Sequence, residues 1–103
     1  MTVGEIRTWI QKVDPEAKHY FTKLDGDSYT VWAETERLGL DADDEYAEMG
    51  WAFDIVRYTQ NEFDDMPQKI EDALLKNPLI SFSYRVDVDP ESRYIMHSFS
   101  CEA

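Results

Sequence analysis

The sequence predicts an α+β fold, one small domain over residues 1–103 in which two helices pack on a mixed or antiparallel sheet of about five strands, in the order α-β-β-β-α-β-β. Three observations predict it. Ile80, Phe82, Tyr84, Val86 and Val88 alternate without a break against Ser81, Ser83, Arg85, Asp87 and Asp89, the period of a strand. Met66, Ile70, Ala73 and Leu74 recur just before it at helical spacing. Upstream again, Trp51 to Thr59 is rich in aromatic and β-branched residues, with Trp51, Phe53 and Ile55 on one alternating face. Strand, helix and strand from Trp51 to Val88 form the unit around which the remaining elements are arranged.

The first helix is placed from about residue 3 to 13. Thr2 and Glu5 have the spacing of a capping box, Ile6, Trp9, Ile10 and Val13 make an apolar stripe, and Asp14-Pro15 ends it. Lys18 to Leu24 leads into the turn cluster Asp25-Gly26-Asp27-Ser28, where Gly26 can supply a positive φ. Tyr29 to Thr35 returns, so residues 18 to 36 read as a hairpin. Between Glu36 and Gly50 neither period holds. Asp41, Asp43, Asp44, Glu45 and Glu48 crowd together there, and mutual repulsion predicts a solvated acidic loop, with a turn of helix around Asp44 to Met49 as an option. The second helix follows β-type Trp51–Thr59, with Asp65 three residues before Gln68 and Pro67 in the first turn, and it stops at Asn77-Pro78. Asp89-Pro90-Glu91-Ser92 turns the chain into a last strand, Tyr94 to Cys101, paired with Ile80 to Val88 as a hairpin.

Composition narrows the function classes. Hydrophobic residues at 43% place the chain above the disordered range, so it should fold. Asp plus Glu number 22 against 10 Lys plus Arg, and the resulting −12 disfavours tight binding to nucleic acids or to anionic membranes. Cys101 is the single cysteine, which excludes an intrachain disulfide and suggests a reducing compartment. Met1 to Glu5 lacks the basic and apolar regions of a signal peptide, and no apolar run reaches the ~18 residues of a membrane span. A soluble, cytoplasmic protein is the expectation.

Motifs for chemistry are weak. Asp25-Gly26-Asp27 opens like a calcium loop, but Tyr29 and Thr30 occupy the next ligand and glycine positions, so a hairpin turn is the reading adopted. The acidic run could collect Mg²⁺ or Ca²⁺ weakly, yet Tyr46 stands where an EF-hand needs glycine. His19 and His97 fall on predicted strands with no local nucleophile or orienting acid, and are read as buried or interfacial. Ser81, Ser83, Ser98 and Ser100 make a polar face on the last hairpin, without a nucleophile elbow or phosphate loop. The chain is therefore read as a non-enzyme with no catalytic residue, metal site or cofactor. The aromatic content points instead to contacts with other proteins. Tyr58 and Trp32 fall on the strand faces opposite Ile55 and Val31 and are the candidate interface aromatics.

With these features in place, the chain resembles the bacteriophage tail terminators, also called tail-completion or head–tail joining proteins. The resemblance lies in size, in element order, and in Gly50-Trp51-Ala52-Phe53-Asp54-Ile55-Val56-Arg57-Tyr58 running into Asp64-Asp65-Met66-Pro67-Gln68-Lys69-Ile70-Glu71-Asp72-Ala73-Leu74. It covers nearly the whole chain and is a pattern of elements. It implies a structural protein of a phage or prophage that assembles as a ring, commonly of six, caps the tail tube and meets the head connector. Its partners would be itself, the tail-tube protein and the connector, and its place the virion tail after assembly in the cytoplasm. Six copies at −12 each would carry −72, repelling DNA that passes through the ring. The resemblance places the acidic loop, Asp41, Asp43, Asp44, Glu45 and Glu48, at the lumen or a subunit contact. The alternative is a small acidic inhibitor or immunity-type protein that mimics DNA.

Overall fold

The computed structural model describes residues 1–20, 26–39 and 50–103. Its elements are α1 (Val3–Val13), β1 (Lys18–His19), β2 (Ser28–Arg37), β3 (Trp51–Thr59), α2 (Met66–Leu75), β4 (Ser81–Val88) and β5 (Ile95–Glu102), the order expected from the sequence. The five strands form one mixed sheet, ordered β1-β2-β3-β5-β4. β2 with β3, β3 with β5, and β5 with β4 are antiparallel. β3 and β4 consequently run the same way with β5 inserted between them, and α2 makes the crossover.

Residues 18 to 36 do not form the expected hairpin. β1 is two residues long and runs parallel to β2, with Lys18 opposite Val31 and His19 opposite Trp32. Tyr20 ends it by taking φ 68, a left-handed backbone that a strand cannot continue, while its N–H still reaches the Trp32 carbonyl at 2.8 Å. The turn glycine behaves as the sequence requires, Gly26 lying at φ 87. The remainder of the expected first strand, residues 21–25, lies outside the described residues, as does the acidic stretch 40–49.

Both helix starts have a chemical cause. In α1 the Thr2 hydroxyl accepts from the Glu5 N–H at 3.1 Å, and the Glu5 carboxylate accepts from the Thr2 N–H at 3.2 Å, completing the capping box. These bonds hold the Glu5 carboxyl below the usual range, the Thr2 backbone contact first. α2 is capped by a different residue from the one its spacing suggests. Asp65 makes no side-chain cap bond; the neighbouring Asp64 accepts from the Met66 N–H at 3.1 Å. The Asp65 carboxylate instead reaches Lys69 at 3.4 Å.

The core lies between the helices and one face of the sheet. Ile6 and Ile10 of α1 and Ile70 and Leu74 of α2 join Trp32, Phe53, Ile55 and Phe99 in a single buried cluster. The neck of the acidic stretch is closed by the Leu38 N–H on the Gly50 carbonyl at 3.0 Å, and Trp51 exchanges two backbone bonds with Ala103 at 2.8 and 3.0 Å. A Cβ on Gly50 would fall 2.5 Å from the Ala103 carbonyl oxygen, so only glycine fits there.

Candidate functional site

Pleating sends alternate residues to opposite faces, and register decides which residues share a face. Phe53 and Ile55 point to the helices, so Ala52, Asp54, Val56 and Tyr58 of β3 point away from them. Their cross-strand partners complete a second face: Tyr29 lies opposite Tyr58, Val31 opposite Val56, Met96 opposite Tyr58 and Ser100 opposite Asp54. No described helix covers this face.

The open face has two ends of different chemistry. At one, Tyr29 and Tyr58 stack at 4.8 Å between ring centres, and Tyr94 meets both edge-on at 5.7 and 6.4 Å. The Tyr94 hydroxyl donates to the Gly26 carbonyl at 3.0 Å, which locks the third ring in place. Burial, with the neighbouring Tyr94 and Tyr58, raises the Tyr29 phenol. Val31, Val56 and Met96 extend this patch, all half-buried. At the other end a shallow groove of about 380 Å³ is lined by hydroxyls of Thr35, Ser81, Ser83 and Ser100 with the carboxylates of Asp54 and Glu102. Neither carboxylate has a salt-bridge partner among the described residues. Cys101 also borders the groove, but its thiol is 2% exposed and burial, then Asp54, pushes its pKa up to about 12, so it is not a nucleophile at neutral pH.

The helix-facing side holds an ionic cluster where Arg57 interrupts the apolar row. The guanidinium donates from Nε to Asp64 at 2.7 Å and from Nη1 to the Thr30 hydroxyl at 3.1 Å, and lies 3.6 Å from Asp14 Oδ2. Burial alone would raise the Asp64 carboxyl; the Arg57 hydrogen bond, the Met66 N–H and the Arg57 charge outweigh it and hold the group below its ordinary value. A gap of only about 10 Å³ adjoins the cluster, too small for a substrate.

The two histidines sit apart. His19 is sandwiched between the Tyr20 and Trp32 rings, each at 3.9 Å, with Nε2 2.7 Å from Glu34, which also accepts from the Tyr20 hydroxyl. His97 lies on β5 with Nδ1 2.5 Å from the Tyr84 hydroxyl; burial lowers its pKa, Asp64 raises it and Arg57 lowers it further. β2 and β3 separate the two sites. No group of three or more His, Cys, Asp or Glu side chains among the described residues is arranged to hold a metal ion.

Of the residues singled out by sequence, Tyr58 is on the open face and Trp32 is not. Trp32 is 1% exposed, because β2 pairs it with Ile55 and so turns it into the core. Alternation within one strand cannot reveal this; it requires the register with the next strand. The same register pairs Tyr29 with Tyr58, and the Tyr94 ring packs edge-on against both; the sequence reading missed these two partners. Asp41, Asp43, Asp44, Glu45 and Glu48 lie outside the described residues.

No family model matches this chain, and no curated protein does. A solved structure does: the sheath/tube terminator, in its extended state, of PVC, an extracellular contractile injection system, with a TM-score of 0.53 at 11% identity. The chain shares its fold with that terminator. The match covers all of this chain and 56% of the terminator's, so the chain spans little more than half the length of the protein it resembles. At that identity the likeness is one of fold. It gives the helix order and mixed sheet a known precedent, and leaves the open face to be interpreted from its own residues.

Proposed function

We propose that this chain is a structural subunit that caps a tail tube, working as an oligomeric ring and, in a phage or prophage, joining the tail to the head. The observation that carries the reading is the match of the whole chain to the fold of a sheath/tube terminator. The open sheet face supports it. A sheet stabilises a fold by covering its apolar surface, and here Tyr29, Tyr58, Tyr94, Val31, Val56 and Met96 stand on the side that no described helix covers. Rigid aromatics of this kind are the usual anchors of protein contacts. Subunits closing a ring need two different complementary patches, and this face would be one of them.

The charge suits a channel lining. A chain at −12 repels phosphates, and the acidic stretch with Asp41, Asp43, Asp44, Glu45 and Glu48, facing the lumen or a neighbouring subunit, would keep DNA moving without adhesion. Tail-tube and head-connector proteins are the partners this reading names.

Light scattering across concentration, with and without the tube protein of the same tail, tests it. The native chain should reach a ring mass, and Tyr58→Asp should shift the equilibrium toward smaller species while leaving the circular dichroism spectrum unchanged. A native chain that stays below ring mass in every condition, or a Tyr58→Asp variant that assembles identically, contradicts the reading. Competition with DNA for a DNA-binding enzyme would instead support the inhibitor alternative.

A further inference from the structure

We infer that two copies of this chain pair through the free edge of β4, antiparallel, with Val86 facing Val86 of the second copy. β4 is the last strand of the sheet, so among the described residues its outer N–H and C=O groups have no strand partner, and it presents eight residues of unbroken edge. Natural sheets blunt such edges with proline, lysine, a bulge or a very short strand. β4 has none of these, and the two charges it does carry, Arg85 and Asp87, are of opposite sign. Its apolar residues are unusually open as well: Val86 is 50% exposed and Val88 63%, on the helix side of the sheet but past the helices.

The sequence of the edge selects its own copy as occupant. In an antiparallel self-pairing, ladder bonds form only when the two opposed positions both point outward, which requires their numbers to sum to an even value. The register centred on Val86 places Arg85 opposite Asp87 of the second copy and Tyr84 opposite its Val88, each twice by symmetry. Centring on Arg85 would oppose two arginines, and centring on Asp87 would oppose two aspartates. Arg85 and Asp87 already approach each other within one strand at 3.0 Å, both largely exposed, so exchanging partners costs little desolvation. The two-fold axis stands perpendicular to the sheet. Both helix layers then lie on one side, Tyr84 covers the partner strand's exposed valine, and the two sheets become one of ten strands. This pairing is independent of the ring contact, because it joins a patch to itself.

Analytical ultracentrifugation of the full chain tests it with three variants. Arg85→Asp and Val86→Lys should each raise the dimer dissociation constant by about tenfold or more, and the double change Arg85→Asp with Asp87→Arg should restore it. Thermal unfolding of the variants, expected to match the native chain at low concentration, confirms that the fold survives. A native chain that is monomeric at every concentration, or a dimer indifferent to all three variants, overturns the pairing. Rings should still form in Val86→Lys, because the ring contact is a different one. A variant that loses the dimer and keeps its rings supports the pairing and leaves the proposed capping role intact, whereas one that loses both together overturns a pairing separate from the ring.

Discussion

Arg57 is the residue on which most of the polar interior depends. Among the described residues its guanidinium is the single cation paired with Asp14, which is 4% exposed, and with Asp64, and removing it leaves two largely buried carboxylates without a counter-charge. Arg57→Ala should therefore cost roughly 3–5 kcal/mol of stability, read from denaturant unfolding at neutral pH. The Asp64 carboxyl is depressed in the folded chain below its ordinary 3.8, so the stability it contributes is complete above the unfolded value and disappears as pH falls through the folded one. Asp64→Asn should accordingly flatten the acid limb of the stability profile below about pH 4. Gly50→Ala drives a methyl group into a backbone carbonyl that has no rotamer to escape by, and should cost about 1–3 kcal/mol in the same assay.

Among the elements, those with an uninterrupted period were legible in the sequence and those set by a neighbour were not. α1 could be placed from Thr2, Glu5 and its Ile6/Ile10 stripe, and Thr2→Ala should lower the unfolding free energy by about 1 kcal/mol. β3, β4 and the β4–β5 hairpin also follow from alternation. Three readings failed for the same reason, that local pattern contains no partner. Trp32 alternates correctly, yet only its pairing with Ile55 shows that its face is the covered one. Asp64 and Asp65 are equivalent as cap residues in sequence, and Arg57, seven residues back, fixes the one that turns inward. Lys18 and His19 sit before a turn cluster as a hairpin strand would, but Tyr20 takes a left-handed backbone and the pair runs parallel to β2. In β4 the apolar period is perfect and burial fades from Ile80 to Val88, since helices cover only the first part of the face.

At the scale of the molecule, the described residues leave one sheet face and the β4 edge without cover, and both carry side chains suited to contact. The open face joins a tyrosine triad to a groove whose carboxylates have no salt-bridge partner among the described residues, and the edge is self-complementary in charge around Val86. Neither surface was visible from composition, which showed only that aromatics and acids were abundant. The proposed capping role rests on these surfaces together with the terminator fold, and it makes a claim about place: such a subunit would sit at the end of a tube. Negative-stain images of purified tail tubes mixed with the chain test that directly. A ring seated at one end of each tube is the predicted result, lost in Tyr58→Asp. Chains spread along the tube wall, or tubes with bare ends at saturating protein, would contradict it.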